Sequence, residues 1–410
     1  GVLSAGTNTF TATAGTLTLT VSGSVTTAQL NAGASATAYV ATTGAAVYLP
    51  RYTYHPTTHA ALGLLIEPQV TQLLGQTDDL MGGEWVSYGN VTVTQSGAYR
   101  GRARWSLAKA NTTSNVFLAQ DVGSPTAGTY TCVTYIFAGT STAIDLGLYG
   151  SVGAFGNCSH TKISGPGSLS STTGLTSITG LDAATPTIVS TSIVVNGTES
   201  CTLLMYPAGA ASTTLGASNV VQVDNIEAGS VATSYIPNAT TGSLVRTADE
   251  FSVTGSEFTA LMGPLLAAGQ GTLVFEFIPA TATTPSAPQV LALIYNGSAI
   301  NTPHTLAIAT NYEGKGFVSN LAASCITSNV VTSNARSKLG VTFGAGGLKL
   351  CLNGGAIAST ANTAFTGVGS TTMSFDDDGQ LWGPMPSIRS RISAYPTAVA
   401  DAALQSLTAL

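Results

Sequence analysis

The chain has 410 residues, more than one ordinary hydrophobic core occupies, so two or three domains are expected. Only 8% of the residues are charged, against roughly 25% in an average globular protein. This scarcity excludes an architecture of solvated helices, because exposed helix faces are normally built from Glu, Lys and Arg. The formal charge of −6, with no cluster of Lys and Arg, argues against nucleic-acid binding. No apolar stretch reaches the roughly 20 residues of a membrane-spanning helix.

The first 50 residues contain no charged residue at all. The segment TFTATAGTLTLTVSGSV alternates Thr with apolar residues, which is the period of half-buried strands. Uncharged strands with a Thr-rich face are poorly protected against pairing at their edges. We therefore predict an N-terminal β segment over 1–50 that serves attachment or oligomerisation, the alternative being an ordinary small β-sandwich.

A change of texture at Arg51, with the first charges, two His and a Pro, predicts a linker over 51–62. Short alternating segments follow at a spacing near ten residues, which is typical of a jelly roll or sandwich. These segments are VTVTQS (91–96), ARWSL (103–107), TYTCVTYIFAG (129–139), IDLGLYG (144–150), TIVSTSIVV (187–195), CTLLMY (201–206) and VVQVDNIEAG (220–229). Between them, the Gly-, Ser- and Thr-rich stretch 151–186 predicts a long surface loop with room for one extra strand.

SYIPNATTG (234–242) marks a second junction, after which the alternation resumes. The later strands are TLVFEFIPA (272–280), QVLALIYNGS (289–298), HTLAIAT (304–310), KLGVTFG (338–344), GLKLCLNGG (347–355) and SIRSRISAYP (387–396). Asn353-Gly354 is a hairpin turn signal, and ADAALQSLTAL has the apolar spacing of a short C-terminal helix. The fold class is therefore all-β, with tandem β-sandwich or jelly-roll domains and a short C-terminal helix.

Several of these segments resemble modules common in tailed-phage and prophage structural proteins. GLLIEPQVTQLL, GEWVSYGNVTVT and TYTCVTYIFAG resemble the opening of such a module, although Gln72 stands where the opening turn usually carries Asn. VQVDNIEAGSVATSYIPNATTGSLVRTADEFSV resembles its closing strand and linker, and the chain end from LWGPMPS resembles the last strand and helix of a concanavalin A-like (laminin G-like) sandwich. The resemblance implies a carbohydrate-binding-type jelly roll at 63–238 and a concanavalin A-like sandwich at 239–410.

Proteins with this arrangement are typically tail-fibre, tail-spike or head-decoration components. The resemblance therefore implies a virion-surface subunit whose partners are other virion proteins, further copies of itself in a homotrimer, and host surface glycans. A secreted bacterial lectin or adhesin is the alternative. A polysaccharide depolymerase is a third hypothesis, but a glycosidase needs two carboxyl groups about 5–10 Å apart, and LVFEFIP offers only Glu276. No enzymatic activity is therefore predicted.

Two acidic groups are candidates for a structural calcium ion, and no other cofactor is expected. Gln222 and Asp224 share one face of VVQVDNI, and the resemblance implies that an acidic residue of the opening strand, here Glu67, would complete the site. The alternative is a set of buried, hydrogen-bonded side chains that fix two strand ends together. The second group, Asp376-Asp377-Asp378-Gly379, lacks the spacing of a helical calcium loop and is typical of a solvated turn.

The aromatic and thiol side chains complete the set of candidates. Trp85 and Tyr88, in a Gly-flanked segment, and Trp382 are predicted to stack on sugar rings, whereas Trp105, in the alternating ARWSL, is predicted to be core. The five cysteines are widely spaced and form no CxxC pair, so buried free thiols are predicted. A Cys158–Cys201 or a Cys325–Cys351 disulfide is the alternative.

Overall fold

A computed structural model of the chain describes most of the residues after position 50. The described residues are 51–54, 60–150, 155–230, 232–249, 251–280, 289–295, 306–311, 313–319, 324–332, 334–361, 369–375, 383–385 and 387–410. The predicted N-terminal segment over 1–50 and the candidates Trp382 and Asp376–Asp378 lie outside them. The described part is all-β with two helices, so the predicted fold class is confirmed.

Fifteen strands make up the first half. They are β1 (Tyr52–Tyr54), β2 (Ala61–Ile66), β3 (Val70–Gln72), β4 (Val86–Tyr88), β5 (Val91–Tyr99), β6 (Arg102–Lys109), β7 (Phe117–Asp121), β8 (Gly128–Ala138), β9 (Ile144–Gly150), β10 (Cys158–Ser164), β11 (Ser168–Leu169), β12 (Thr176–Thr179), β13 (Thr187–Val195), β14 (Cys201–Pro207) and β15 (Ser218–Ala228).

Twelve of these strands form the jelly roll, in two antiparallel sheets. Sheet I has the order β10-β13-β8-β15-β6-β5, and sheet II has the order β11-β12-β9-β14-β7-β4. Alternate residues of both sheets meet in one buried core that includes Trp105, Ile136, Leu146, Leu203 and Val221. The alternation that predicted the strands thus also predicts which side chains are buried.

The second half continues in chain order with thirteen strands and two helices. They are β16 (Leu244–Arg246), β17 (Ser252–Thr254), α1 (Gly255–Ala268), β18 (Gly271–Pro279), β19 (Gln289–Tyr295), β20 (Leu306–Thr310), β21 (Lys315–Ser319), β22 (Ser324–Val330), β23 (Ser337–Phe343), β24 (Leu348–Leu352), β25 (Ala358–Thr360), β26 (Thr372–Ser374), β27 (Gly383–Pro384), β28 (Ser387–Tyr395) and α2 (Asp401–Thr408).

These elements form a second sandwich. Sheet III has the order β1-β2-β28-β18-β23-β24-β25, and sheet IV has the order β17-β26-β19-β20-β21-β22, with β27 beside β19. Phe275, Leu291, Ile308 and Val341 are among the residues of its core. After β24, Asn353 and Gly354 both have positive φ, at 53° and 67°, and the Gly355 N–H donates to the Leu352 carbonyl. The predicted turn is therefore present.

The first two strands belong to the second sandwich, although the jelly roll follows them in sequence. In β2, Leu65 pairs with Ile388 of β28, and β1 lies outside β2 at the edge of sheet III. This corrects the predicted linker over 51–62, because both ends of that segment belong to paired strands. The segment ALGLLI is apolar enough to pack at the edge of sheet III. The jelly roll is thus an insertion between β2 and the rest of the second sandwich.

Two further segments differ from the prediction. The stretch 151–186, predicted as a surface loop, contains β10, β11 and β12, because Ser and Thr serve as strand residues when a neighbouring strand pairs with them. Helix α1 was not predicted. Its buried residues Phe258, Met262 and Leu265 recur at helical spacing, and Gly269 ends it in the left-handed conformation.

The five cysteines are buried free thiols, as predicted. Burial raises the pKa of Cys158 to about 11 and, with the nearby Asp121, that of Cys201 to about 12. Such thiols are protonated at neutral pH and behave as small apolar side chains. In the described part of the chain, neither helix has the length and hydrophobicity to cross a membrane.

Candidate functional site

Glu67, a predicted calcium ligand, lies where the chain passes from β2 into the jelly roll. Its carboxylate accepts hydrogen bonds from the Ser234 N–H (2.7 Å) and hydroxyl (2.6 Å) and forms an ion pair with Arg246 (2.8 Å). Its backbone N–H donates to the Asp249 carboxylate (2.8 Å), and its carbonyl accepts from the Asp249 N–H (2.9 Å). The segments that enter and leave the jelly roll are therefore fastened to each other, and we call this set the junction.

Gln72 makes further hydrogen bonds in the same region. It is fully buried, and its side-chain oxygen accepts from the N–H groups of Leu74 (3.0 Å) and Ile226 (2.8 Å). Its amide donates to the Asn225 side-chain oxygen (3.0 Å). In addition, β3 pairs with β16, so the entering and leaving segments form a two-stranded ribbon.

Asp224 binds an arginine in this structure. Its carboxylate forms an ion pair with Arg102, whose Nη2 donates to the Val223 carbonyl (2.7 Å) and whose Nε donates to Asp78 (3.1 Å). The guanidinium carbon lies 3.2 Å from the ring centroid of Tyr235. Burial raises the pKa of Asp224 above its ordinary value, and the neighbouring Arg102 opposes that shift.

Gln222 does not face a common centre with the two acids. It uses its amide as a donor to the carbonyls of Tyr99 (3.3 Å) and Ala103 (3.2 Å). Glu67 and Asp224 each bind a different arginine, and within the described ranges no three His, Cys, Asp or Glu side chains converge as a metal site requires. The geometry matches the alternative interpretation, in which these side chains fasten strand ends together.

The predicted aromatic residues differ in their exposure to solvent. Trp85 is buried in the jelly-roll core and donates its indole N–H to the Gln76 carbonyl (3.3 Å). Its predicted role in sugar stacking is therefore corrected, because no ring face is open. Tyr88, three residues later, is 50% exposed on strand β4. Trp105 is core, as predicted.

Tyr88 belongs to an aromatic cluster on the outer face of sheet II. It pairs across strands with Phe117, and the two rings stack at a centroid distance of 4.7 Å and an angle of 24°. Phe117 in turn contacts Tyr206 at 4.8 Å. Tyr206 and its neighbour Leu204 form a cluster separate from the core, because their strand alternates core-facing and outward residues. Tyr88, Phe117, Tyr206 and Asp145 are called the aromatic face below.

Asp145 ends this row of side chains. It is the cross-strand partner of Tyr206, so the row crosses the four adjacent strands β4, β7, β14 and β9, and Ser177 on β12 lies beside its end. At about 4.8 Å between neighbouring strands, the row is about 14 Å long. One carboxylate oxygen of Asp145 accepts from the Ser177 hydroxyl and the other from the Ala210 N–H (2.8 Å). Each oxygen keeps a lone pair for a further donor.

Lys109 holds the loops beside the aromatic face. Its buried ammonium group donates to the carbonyls of Thr113 (2.8 Å) and Ser212 (2.5 Å). The two loops also meet directly, because the Asn115 N–H donates to the Ala210 carbonyl (2.8 Å). Lys109 therefore supplies a fixed positive charge at the point where the loops flanking Phe117 and Asp145 converge.

Phe117, Tyr206 and Asp145 were not predicted as site residues. A signal was present, since FLA (117–119) and LLMY (203–206) are continuous apolar runs, and strands with such runs are covered on both faces. One face of each strand serves the core and the other serves the aromatic face. The pairing that brings them together joins residues far apart in sequence, which composition and periodicity do not reveal.

Comparison with known proteins gives distant likenesses only. No family model matches the chain, and no curated protein matches it. It is similar to the CBM40 module of the Ruminococcus gnavus IT-sialidase, with 16% identity and a TM-score of 0.32, over 39% of this chain and 92% of that one. A leech intramolecular trans-sialidase is 16% identical, with a TM-score of 0.31, over 40% of this chain and 28% of that one. The NanB sialidase from Streptococcus pneumoniae is 13% identical, with a TM-score of 0.30, over 38% of this chain and 26% of that one. Likenesses at this level carry no argument about what this chain does.

Proposed function

We propose that this protein is a non-catalytic surface module that binds glycans through the aromatic face of its jelly roll. The observation that carries the proposal is the exposed Tyr88 ring, stacked on Phe117, at one end of a row that leads to Asp145. Aromatic faces attract the apolar C–H faces of sugar rings, and a carboxylate accepts hydrogen bonds from sugar hydroxyls. The combination suits a neutral, hydroxyl-rich saccharide.

The fixed geometry of the aromatic face supports binding by a preformed site. Tyr88 is backed by Phe117, and Phe117 by Tyr206, which is buried. The Asp145 carboxylate is oriented by Ser177 and by the Ala210 N–H. Binding to such a preorganised surface loses little conformational entropy. The oriented oxygens of Asp145 can each accept a further hydrogen bond from a sugar hydroxyl.

We further propose that the module is displayed on a bacteriophage virion as a homotrimeric fibre, spike or decoration subunit. The family resemblance of its sequence and the fastened junction support this setting, because a display arm must hold its binding domain in a fixed orientation. Purified virions are expected to contain the protein together with capsid or tail proteins, and light scattering of the full chain is expected to give the mass of three copies. A stable monomer, secreted without particles, would favour a bacterial lectin or adhesin instead.

Tyr88→Ala tests the aromatic face. We expect the full chain to bind a subset of neutral bacterial polysaccharides on a glycan array, and Tyr88→Ala to weaken that binding roughly 10-fold, in line with a lost stacking contact of about 1–1.5 kcal/mol. Tyr54→Ala is the matched control, because Tyr54 is 56% exposed but lies on edge strand β1, away from the aromatic face. Equal loss in both variants, or no loss in either, would contradict the proposal.

The depolymerase hypothesis is tested separately. Incubation of each bound polysaccharide with the full chain is expected to leave its chain length unchanged. Hydrolysis that disappears in Glu276→Gln would contradict the non-catalytic proposal, since Glu276 is the acidic residue of strand β18.

A further inference from the structure

The jelly roll carries a second, differently built surface on the outer face of sheet I. Strands β5 and β6 are joined by the two-residue turn Arg100-Gly101, with positive φ at both residues (51° and 78°). A bulge between Gln95 and Ala98 bends the end of β5. Strand β6 then places Arg104 on the face opposite Trp105, which is core. Tyr99, Arg100, Arg104 and Tyr135 are called the arginine face.

Aromatic rings, rather than carboxylates, hold the two guanidinium groups of this surface. The Arg100 guanidinium carbon lies 5.3 Å from the Tyr99 ring centroid, and that of Arg104 lies 4.9 Å from the Phe137 ring. Tyr99 contacts Phe137 edge-on at 5.3 Å and Tyr135 at 6.0 Å. The arginine side chains are therefore ordered while their charges are retained.

The charge balance of the surface is uneven. Arg102, between the two other arginines, is neutralised by Asp224 and Asp78. Arg100 and Arg104 form no ion pair within the described ranges, and the Arg104 Nε is buried without a hydrogen-bond partner there. Three arginines within five positions against two carboxylates leave this surface a net charge of +1, in a chain whose overall charge is −6. An unpartnered buried N–H is unfavourable unless an acceptor joins it.

From this geometry we propose that the arginine face binds the acidic group of a charged saccharide. Arg100 and Arg104 would contact the carboxylate or sulfate oxygens, and Tyr99 would pack against the ring that carries the group. Burial and the nearby Asp224 raise the pKa of Tyr135 to about 12, so its phenol stays neutral beside a bound anion. This site is independent of the aromatic face, so either proposal can fail while the other stands.

Titration of the full chain with oligogalacturonate, followed by calorimetry, tests the site. Methyl-esterified oligogalacturonate has the same rings without the charge, and inorganic sulfate has charge without rings. We expect binding to oligogalacturonate or to dextran sulfate that weakens as salt is raised, and much weaker binding to the ester and to free sulfate. Arg100→Gln and Arg104→Gln are each expected to weaken binding roughly 10-fold or more, as for a lost charge-assisted hydrogen bond.

Three controls keep the test decisive. Arg336→Gln removes an exposed charge from the second sandwich and is expected to change nothing. Arg104→Lys keeps the charge and is expected to retain part of the affinity, and unchanged thermal unfolding of each variant shows that the fold is intact. No binding of either charged saccharide, equal binding of ester and acid, full affinity in the double Gln variant, or tighter arginine-dependent binding of a DNA oligonucleotide would each overturn the proposal.

Discussion

Lys109 shows how one side chain determines the arrangement of the aromatic face. Its ammonium group is buried and donates to two main-chain carbonyls, those of Thr113 and Ser212. These carbonyls belong to the two loops that flank Phe117 and Asp145. A buried charge is tolerated only when it is hydrogen-bonded, so the site depends on both loops keeping their conformation.

Lys109→Met is expected to lower the free energy of unfolding by about 1–3 kcal/mol, since it removes the hydrogen bonds to the carbonyls of Thr113 and Ser212, each worth about 0.5–1.5 kcal/mol. The measurement is urea denaturation of the full chain. Lys162→Met is the matched control: Lys162 also donates to two carbonyls, those of Gly165 and Gly167, but it is exposed. A change within about 0.5 kcal/mol is expected there. Comparable losses in the two variants would show that burial is not the deciding factor.

Single residues also mark the limit of prediction from sequence. Trp85 and Tyr88 share one Gly-flanked segment, and both were predicted to bind glycans, yet one is core and the other exposed. The register of β4 on β7 places Tyr88 opposite Phe117, whereas Trp85 precedes β4 and packs in the core. A shift of one residue in that register would turn Tyr88 to the other face of the sheet. Composition identifies the aromatic residues, and only the pairing assigns their roles.

At the scale of elements, edge strand β10 is attached to sheet I partly through His160. The ring of His160 is buried, with Nε2 donating to the Gly174 carbonyl (2.6 Å) and Nδ1 accepting from the Thr191 hydroxyl (3.0 Å). Thr191 is its cross-strand partner on β13, and Gly174 lies before β12 of the other sheet. A neutral imidazole thus joins the two sheets at the edge of the jelly roll.

Burial lowers the pKa of His160 below its ordinary value of 6.5. As pH falls through 6.5, the unfolded chain therefore binds a proton before the folded chain does, and the folded state loses stability until the pH reaches the folded-state pKa. Relative to His160→Gln, the wild-type free energy of unfolding is expected to decrease between pH 8 and pH 5, by about 1.4 kcal/mol for each tenfold difference in proton affinity between the unfolded and folded states. Urea titrations at both pH values measure this difference.

The comparison with His160→Gln isolates one group. Burial raises the pKa values of Asp224 and Glu227, so those carboxyls act in the opposite sense, but they are present in both proteins and cancel in the difference. A wild-type minus variant difference that stays constant with pH would contradict the assignment of a neutral, buried His160.

Elements with strict alternation were predictable, and elements defined by distant partners were not. β13 was predicted because every second residue along it is buried. Strand β1 was interpreted as linker and GLLI of β2 as the opening of the jelly roll, because the partner of β2, strand β28, lies at the other end of the chain. Helix α1 was missed because Gly263 and Pro264 interrupt its apolar pattern, although the helix continues through them.

For the whole molecule, the insertion of the jelly roll between β2 and the second sandwich connects the two domains twice. Strands β3 and β16 pair, and the Glu67–Arg246 ion pair and the Asp249 hydrogen bonds fasten the same point. A single linker would leave the domains free to rotate, whereas two paired segments restrict that motion. For the proposed glycan site, this double connection restricts how the jelly roll can turn relative to the second sandwich.

This topology predicts how the second sandwich responds to excision. The fragment 239–410, cut at the boundary that sequence alone indicates, lacks β1 and β2 and exposes the edge of β28 in sheet III. It also lacks Gly63, whose Cα approaches the Arg389 carbonyl so closely that an added Cβ would lie 2.1 Å from it, so that part of β28 loses its neighbour. We expect this fragment to be less stable and to self-associate through the open edge.

A second fragment, in which residues 52–66 are joined by a short Gly-Ser linker to 244–410, restores β2 and is expected to stay monomeric with a higher unfolding midpoint. Size-exclusion chromatography and thermal denaturation compare the two fragments. A third fragment carries Leu65→Asp in the restored strand. It should behave like the first fragment, because a charged side chain at position 65 removes the apolar packing of β2 at the edge of the sheet. If all three fragments had the same unfolding midpoint and the same oligomeric state, β2 would contribute nothing to the sandwich, and the insertion topology would be wrong.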